Sequence, residues 1–378
     1  MRTLKVALLL LVTLFLTQTA SAQIPLSPQA NISLITCGPG NELYSVFGHT
    51  AVRVHDPAAN LDVVYNFGTF DFNTPNFYLK FVKGDLQYFV SASSFEDFVY
   101  TYKYYNRDVL EQQLNLTPIQ KQQIYSELTT RLNSDKRFYT YKFFDRNCTT
   151  MVGDIFAKYI PGGISMKNDD AGKTNREIIY ERLNNSFYEN LGISLIFGHK
   201  TDMEQYKLFL PNQLLQGVAN TKTSLGPLAQ PTVTLYKAIG GERTSVWNNF
   251  YTWIIISLAL MYFSRNIVLQ RSLIVIFGLL GVFFTFVGFY SYHEEIALNY
   301  NALLINPLFL LLIFFIILGR YTAVKTTIYI CFACVALYLV IVITKPYFLI
   351  VLPLIALVAI LLMRALNANA KNRLHNAQ

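Results

Sequence analysis

The chain has 378 residues, 53% of them hydrophobic, and a formal charge of +8. The apolar residues crowd into the two ends, so these totals exclude a wholly soluble protein and must be read region by region. Taken alone the basic excess suggests a nucleic-acid partner, but its distribution, given below, excludes one.

The first 22 residues carry Arg2 and Lys5, then an apolar run and a small-residue "ASA" ahead of Gln23. This is the pattern of a cleaved secretory signal, with an uncleaved membrane helix as the alternative. Residues 23–230 then read as an exported domain of about 200 residues, enough for one ordinary core. Within it, "LYSVFGHTAVRV" alternates Thr50, Val52 and Val54 with His49, Ala51 and Arg53. A strand there buries the first set and holds His49 and Arg53 on the other face. Gly48, just before the histidine, allows another element to approach closely. His55 opens the polar turn "HDPAAN". The runs "LDVVYNFGTFDF", "DLQYFVSAS" and "RDVLEQQLNL" read as further strands, with "SFEDFVYTYKYY" and "TPIQKQQIYSELTTRL" as helices. Thr117 as N-cap and Pro118 after it open the second helix. With the aromatic "YTYKFF" as another strand, the domain is α+β.

From Met151 onward Met151, Val152, Ile155, Phe156, Tyr159 and Ile160 recur at helical spacing until Pro161-Gly162-Gly163 ends the pattern. Asn147 is the expected N-cap, so Cys148 falls in the first turn, where unpaired N–H groups and the helix dipole favour a thiolate. The plainer reading makes Cys148 a small buried hydrophobe. An activated thiol needs a histidine within hydrogen-bond reach. The exported region offers His49, His55 and His199; the last two read as loop residues, and His49 is the candidate base. Asn66, polar amid apolar neighbours on the next strand, either orients the imidazole or marks a strand-end turn. Cys37, followed by Gly-Pro-Gly, lacks a helix start. The two exported cysteines could instead form one disulfide, since that compartment is oxidising.

The stretch 231–247 is polar and reads as a linker. Beyond it, 248–363 holds five apolar segments, roughly at 248–264, 272–292, 302–319, 326–344 and 346–363, each long enough or nearly so to cross a bilayer. If the preceding domain is exported, Arg265, Arg271, Arg320 and Lys325 fall inside, as do Arg364, Lys371 and Arg373 of the tail, 364–378. Only Lys345 falls outside, in agreement with the positive-inside rule at each loop but one. The basic excess is thus largely topological. Cys331 and Cys334 have CxxC spacing within the fourth segment and read as small packing residues. His293, Glu294, Glu295, Asn299 and Asn301 come to the exported side, where they form either a structural network or part of a lipid-headgroup site. His293 has no second histidine at ligand spacing, so no metal is expected.

The segments "SLITCGPGNELYSVFGHTAVRV", "VYNFGTFDF", "FDRNCTT" and "FLPNQL", joined by "SYHEEIALNYNALLINPL", resemble the Lnb-type lipoprotein N-acyltransferases of Bacteroidetes. Those resemble circularly permuted papain-like thiol enzymes, the NlpC-type group, in which the histidine strand precedes the cysteine helix, as His49 precedes Cys148 here. The resemblance implies an exported permuted papain-like domain followed by about five membrane helices. It implies transfer of an acyl chain from a membrane phospholipid, through a Cys148 thioester, to the α-amino group of a diacylated lipoprotein, without a cofactor. Arg53 is then expected to hold a lipid phosphate, and His293 and Asn299 to line the headgroup site. The competing expectations are a membrane-anchored hydrolase of cell-wall peptides and a non-catalytic envelope protein.

Overall fold

The computed structural model describes residues 25–240 and 245–375; the expected signal, 1–22, lies outside them. Seven antiparallel strands form one sheet: β1 (Asn31–Cys37), β2 (His49–Asp56), β3 (Leu61–Thr69), β4 (Gln87–Ser94), β5 (Val109–Gln113), β6 (Phe138–Thr140) and β7 (Val233–Tyr236), in the order β6-β4-β3-β2-β1-β5-β7. Period-two burial divides the sheet into two faces. Ile32, Leu34, Val52, Val54, Tyr65 and Phe67 turn one way, toward α3 (Pro118–Leu132) and α4 (Cys148–Tyr159). Ile35, Cys37, Ala51 and Val64 turn the other way, toward Phe98 and Val99 of α2 (Phe95–Tyr104). Each large apolar side chain fully buried in these layers stabilises the fold by roughly 1.5–3 kcal/mol.

Three boundaries move. The stretch expected as a linker contains β7, which pairs with β5 and closes the sheet edge. The aromatic run "YTYKFF" gives a strand only as far as Thr140; beyond it the chain turns, closed by the Lys142–Arg146 bridge. That turn delivers Asn147 to the start of α4. His55, expected in a turn, is still in β2, opposite Asn31 and Asp62. The polar turn begins one residue later, where Asp56 caps the next short helix.

The C-terminal part is helical: α8 (Phe250–Phe263), α9 (Ile267–Tyr290), α10 (Leu308–Ile317), α11 (Tyr321–Val342) and α12 (Phe348–His375). All five apolar segments are therefore helices, but they do not span alike. Among the described residues Ile267–Tyr290, Tyr321–Val342 and Phe348–Leu374 are long and apolar enough to cross a membrane. A fourth crossing exists if Glu294–Leu303 and Leu308–Ile317, bent by 41°, count as one. Helix α8, with 14 residues, is about 21 Å long, short of a typical hydrocarbon core of about 30 Å. The expected tail is not separate either, since α12 runs on as far as His375.

Between sheet and membrane helices lie α5 (Asn175–Arg182), α6 (Phe187–Ile196) and α7 (Pro211–Ala219). Phe187 and Leu191 of α6 join the membrane core, while Ile178 and Ile179 of α5 pack with Val287 and Ile296. The start of α8, the α9–α10 loop and the α11–α12 loop all touch this layer: Tyr188 N donates to Asn248 Oδ1 at 2.7 Å, Asn301 Nδ2 to the Ser194 carbonyl at 3.1 Å, and Lys345 pairs with Asp202 at 3.1 Å. Lys345, the one basic residue that broke the charge pattern, thus has a carboxylate partner in the domain it faces. At the other ends of the helices, Gln270 donates to the Leu361 carbonyl and Asn369 to that of Tyr321, which gathers the basic termini together.

Candidate active site

Helix α4 starts where its sequence says it should. The Asn147 side chain accepts from Thr149 N and Thr150 N, both at 2.9 Å, and Thr150 Oγ1 returns a bond to Asn147 N, completing a capping box. Such a cap contributes about 1 kcal/mol. Asn147 Nδ2 also donates to the carbonyls of Phe143 and Phe209, so the "FLPNQL" segment fixes the N-cap from outside. The first turn is held to β2 by the Thr50–Thr149 hydroxyl pair at 3.0 Å.

That anchoring brings Cys148 to His49. Burial raises the thiol pKa, but the charge of His49, a hydrogen bond from its ring, the Thr50 N–H and the Thr149 hydroxyl outweigh it and hold Cys148 below the ordinary thiol range. His49 Nε2 lies 3.2 Å from Asn66 Oδ1, which leaves Nδ1 for the sulfur. The backbone makes room at two glycines. Gly48 has φ +86°, and a Cβ there would come within 2.6 Å of the Cys37 carbonyl oxygen; Gly68 has φ +85° at the irregularity of β3 and faces the Cys148 side chain.

Cys37 is a near neighbour with the opposite character. It pairs directly with His49 across β1 and β2, yet its side chain is buried in the other layer, where desolvation pushes its pKa well up. Among the described residues both cysteines are free thiols. His199 is exposed at the start of a short 3-10 helix and takes no part in the cluster.

Sequence reasoning did not single out Tyr102, Tyr139, Thr50 or Thr149. The Tyr102 ring stacks parallel to that of His49, and its hydroxyl bonds Cys37. Tyr139 lies beside Gly68 on the Cys148 side. The two threonines carried a usable signal, polar residues at buried positions flanking the histidine and the cysteine; the tyrosines were hidden in generally aromatic runs.

Three expected substrate contacts are arranged differently. The Arg53 guanidinium is bound twice to Asp62 at 2.7 Å and to Glu111 at 3.1 Å, and it stacks on Phe95. Its charge is already paired with two carboxylates, unlike the free cation expected to hold a lipid phosphate. Both ring nitrogens of His293 are used, Nε2 with the Phe81 carbonyl at 2.8 Å and Nδ1 with Glu295 at 3.1 Å. Asn299 donates to the carbonyls of Leu195 and Ile196. The His293 and Asn299 side chains are thus engaged with the protein itself, as the structural-network reading expects.

A sheet domain on which a thiol, an imidazole and an amide meet, followed by a bundle of apolar helices, defines a membrane protein with a thiol–histidine site at its N-terminal domain. The family model for the Lnb N-terminal periplasmic domain matches residues 19–183, which hold Cys148, His49 and Asn66, so this part of the chain is similar to the Lnb family. The N-terminal domain is accordingly periplasmic. No curated protein and no solved structure matches the chain.

Proposed function

We propose that the protein is a lipoprotein N-acyltransferase in which Cys148 is the nucleophile, His49 the acid–base and Asn66 the orienting group. The observation that carries this reading is the Cys148 thiol, held below the ordinary range by His49 at the start of α4. In the reacting pair the thiol proton passes to the imidazole. Cys148 Sγ attacks an ester carbonyl of a phospholipid; the ester C–O bond breaks, and His49 gives its proton to the departing lysolipid oxygen. The α-amino group of a diacylated lipoprotein then attacks the thioester. The C–S bond breaks, His49 takes the amine proton, and the thiolate–imidazolium pair returns. The side-chain Oδ1 of Asn147 accepts from Thr149 N and Thr150 N, so the Cys148 N–H remains to stabilise the oxyanion.

The membrane part supports a lipid substrate, because a bundle this extensive exceeds what a tether needs. The charge pattern supports placement in the inner membrane with the basic helix ends and the C-terminus in the cytoplasm. The decisive experiment incubates the purified full chain with phospholipid and a diacylated lipopeptide and weighs the lipopeptide. A gain of one acyl chain is expected. Free fatty acid without that gain, or cleavage of a cell-wall peptide in a parallel reaction, overturns the reading in favour of a hydrolase.

A further inference from the structure

Helix α1 (Phe77–Lys83) presents an apolar face that the protein does not cover: Tyr78 is 76% exposed, Leu79 73%, and Phe72 in the turn before it 60%. A large apolar patch on an exported domain needs a partner. The carboxyl end of α1 is fixed to the end of a membrane helix. Tyr292 N donates to the Lys83 carbonyl, Ser291 Oγ to that of Val82 and His293 Nε2 to that of Phe81, each at 2.8 Å. These three residues directly follow α9, which ends at Tyr290. Gly84 packs so closely on His293 that a Cβ would lie 2.9 Å from its backbone nitrogen. The exposed face is therefore continuous with Phe289, Tyr290 and Tyr292, aromatic residues at the end of an apolar span and themselves open, as at a membrane–water boundary.

The same patch runs inward. Phe77 touches Phe70 at 5.9 Å between centroids, Phe70 touches Tyr88 at 5.3 Å, and Tyr88 stacks on Tyr141 at 4.7 Å. Phe70, Phe77, Tyr141 and Cys148 all pack against one apolar cluster. A chain of ring contacts leads from the exposed helix to Tyr141, which interacts electrostatically with the thiol.

We propose that the periplasmic leaflet covers α1 and Phe72, making a ledge embedded at the bilayer surface, and that a lipid chain passes from this ledge along Phe77, Phe70, Tyr88 and Tyr141 to Cys148. A short amphipathic element bearing aromatic and aliphatic side chains suits an interfacial position. The leaflet contact stands independently; the route to Cys148 rests on the acyltransfer reading.

The test uses the full chain in nanodiscs made with phospholipids brominated on the acyl chains. Leu79→Trp, with Tyr78→Trp as a second variant, is expected to add blue-shifted emission over the signal of the two native tryptophans, quenched by the bromolipid and little affected by aqueous acrylamide. Added emission that acrylamide quenches and bromolipid does not would overturn the proposal. In a second arm, Leu79→Asp is expected to lower transfer from bilayer phospholipid several-fold while leaving alkylation of Cys148 by iodoacetamide unchanged. Unchanged transfer would overturn the route. Bromolipid quenching of the added tryptophan, together with a parent protein that transfers no acyl chain, would keep the ledge and reject the acyltransferase, so the two failures read differently.

Discussion

His49 and His293 each sit in a polar cluster close to aromatic rings, and the two clusters use their imidazoles in opposite ways. His49 spends one ring nitrogen on Asn66 and turns the other to a thiol that can leave with a new bond. His293 spends both, on a carboxylate and a backbone carbonyl, and clamps α1 to the membrane helices. What separates the two clusters is the partner of the second ring nitrogen, a thiol at His49 and a further oxygen at His293, not the residue type. The joint ties α1 of the sheet domain to the α9–α10 loop.

The largest expected effect breaks the reactive cluster. Cys148→Ser and His49→Ala should each lower acyl transfer by at least about a thousandfold, and the double variant should be little worse than either, since nucleophile and base act as one unit. Single-turnover mass spectrometry reads this directly: the parent incubated with phospholipid alone should gain one acyl mass on the peptide containing Cys148, removable by neutral hydroxylamine. Multiplicative losses in the double variant would separate the two residues. Asn66→Ala should give a smaller loss, because the ring keeps its strand position and loses only its orienting bond.

Breaking the joint should instead show in stability. His293→Leu leaves the Phe81 carbonyl and the buried Glu295 carboxylate without their partner, at a cost of about 1–3 kcal/mol. Burial lowers the His293 pKa, but the hydrogen bond and charge of Glu295 and the Phe81 carbonyl outweigh it, so the net shift is upward. A raised histidine pKa contributes stability that is fully present below the ordinary value of about 6.5 and is lost as pH rises through the folded value. The difference in Tm between parent and His293→Leu should therefore shrink as pH is raised from about 6. A difference that grows would mean His293 is held neutral.

Arg53→Ala sharpens the comparison from the same face of β2 as His49. It leaves the half-buried Glu111 and Asp62 facing one another, at about 1–3 kcal/mol of stability. The acyl-transfer rate per folded molecule should stay near the parent's. A rise in KM for phospholipid, with stability unchanged, would restore the lipid-phosphate role.

The strand with His49, the helix with Cys148 and its Asn147 cap were all legible, because two-residue alternation, 3.6-residue recurrence and capping chemistry are local. The sheet order was not, since pairing is decided by contacts far apart in sequence; that is why β7 looked like a linker. Arg53 shows the same limit within a correct element. Its face on β2 could be read from alternation, but the carboxylates around it come from β3 and β5. For His293 and Asn299 the local polarity was plain, and only the packed loop shows that their bonds are already taken. The five apolar segments were found from composition, whereas the bend before α10 depends on how buried Asn301 is held by Tyr338 and Tyr347.

The smallest expected effect concerns Cys37, which lies directly across the strand pair from His49. Proximity alone would make it a rival nucleophile. Its side chain, however, is 1% exposed and lies in the apolar layer on the α2 side. Desolvation favours the neutral thiol there, and neither a helix start nor a backbone donor compensates for it. Cys37→Ser should accordingly leave acyl transfer close to the parent's. Iodoacetamide should label Cys148 in the folded protein and spare Cys37. The Cys148 rate should persist as pH falls below the ordinary thiol value of about 8.5, because its depressed pKa keeps the thiolate populated. Labelling confined to Cys37, or a Cys148 rate that tracks a free thiol with pH, would mean that the chemical contrast between these two neighbours of His49 is the reverse of the one described.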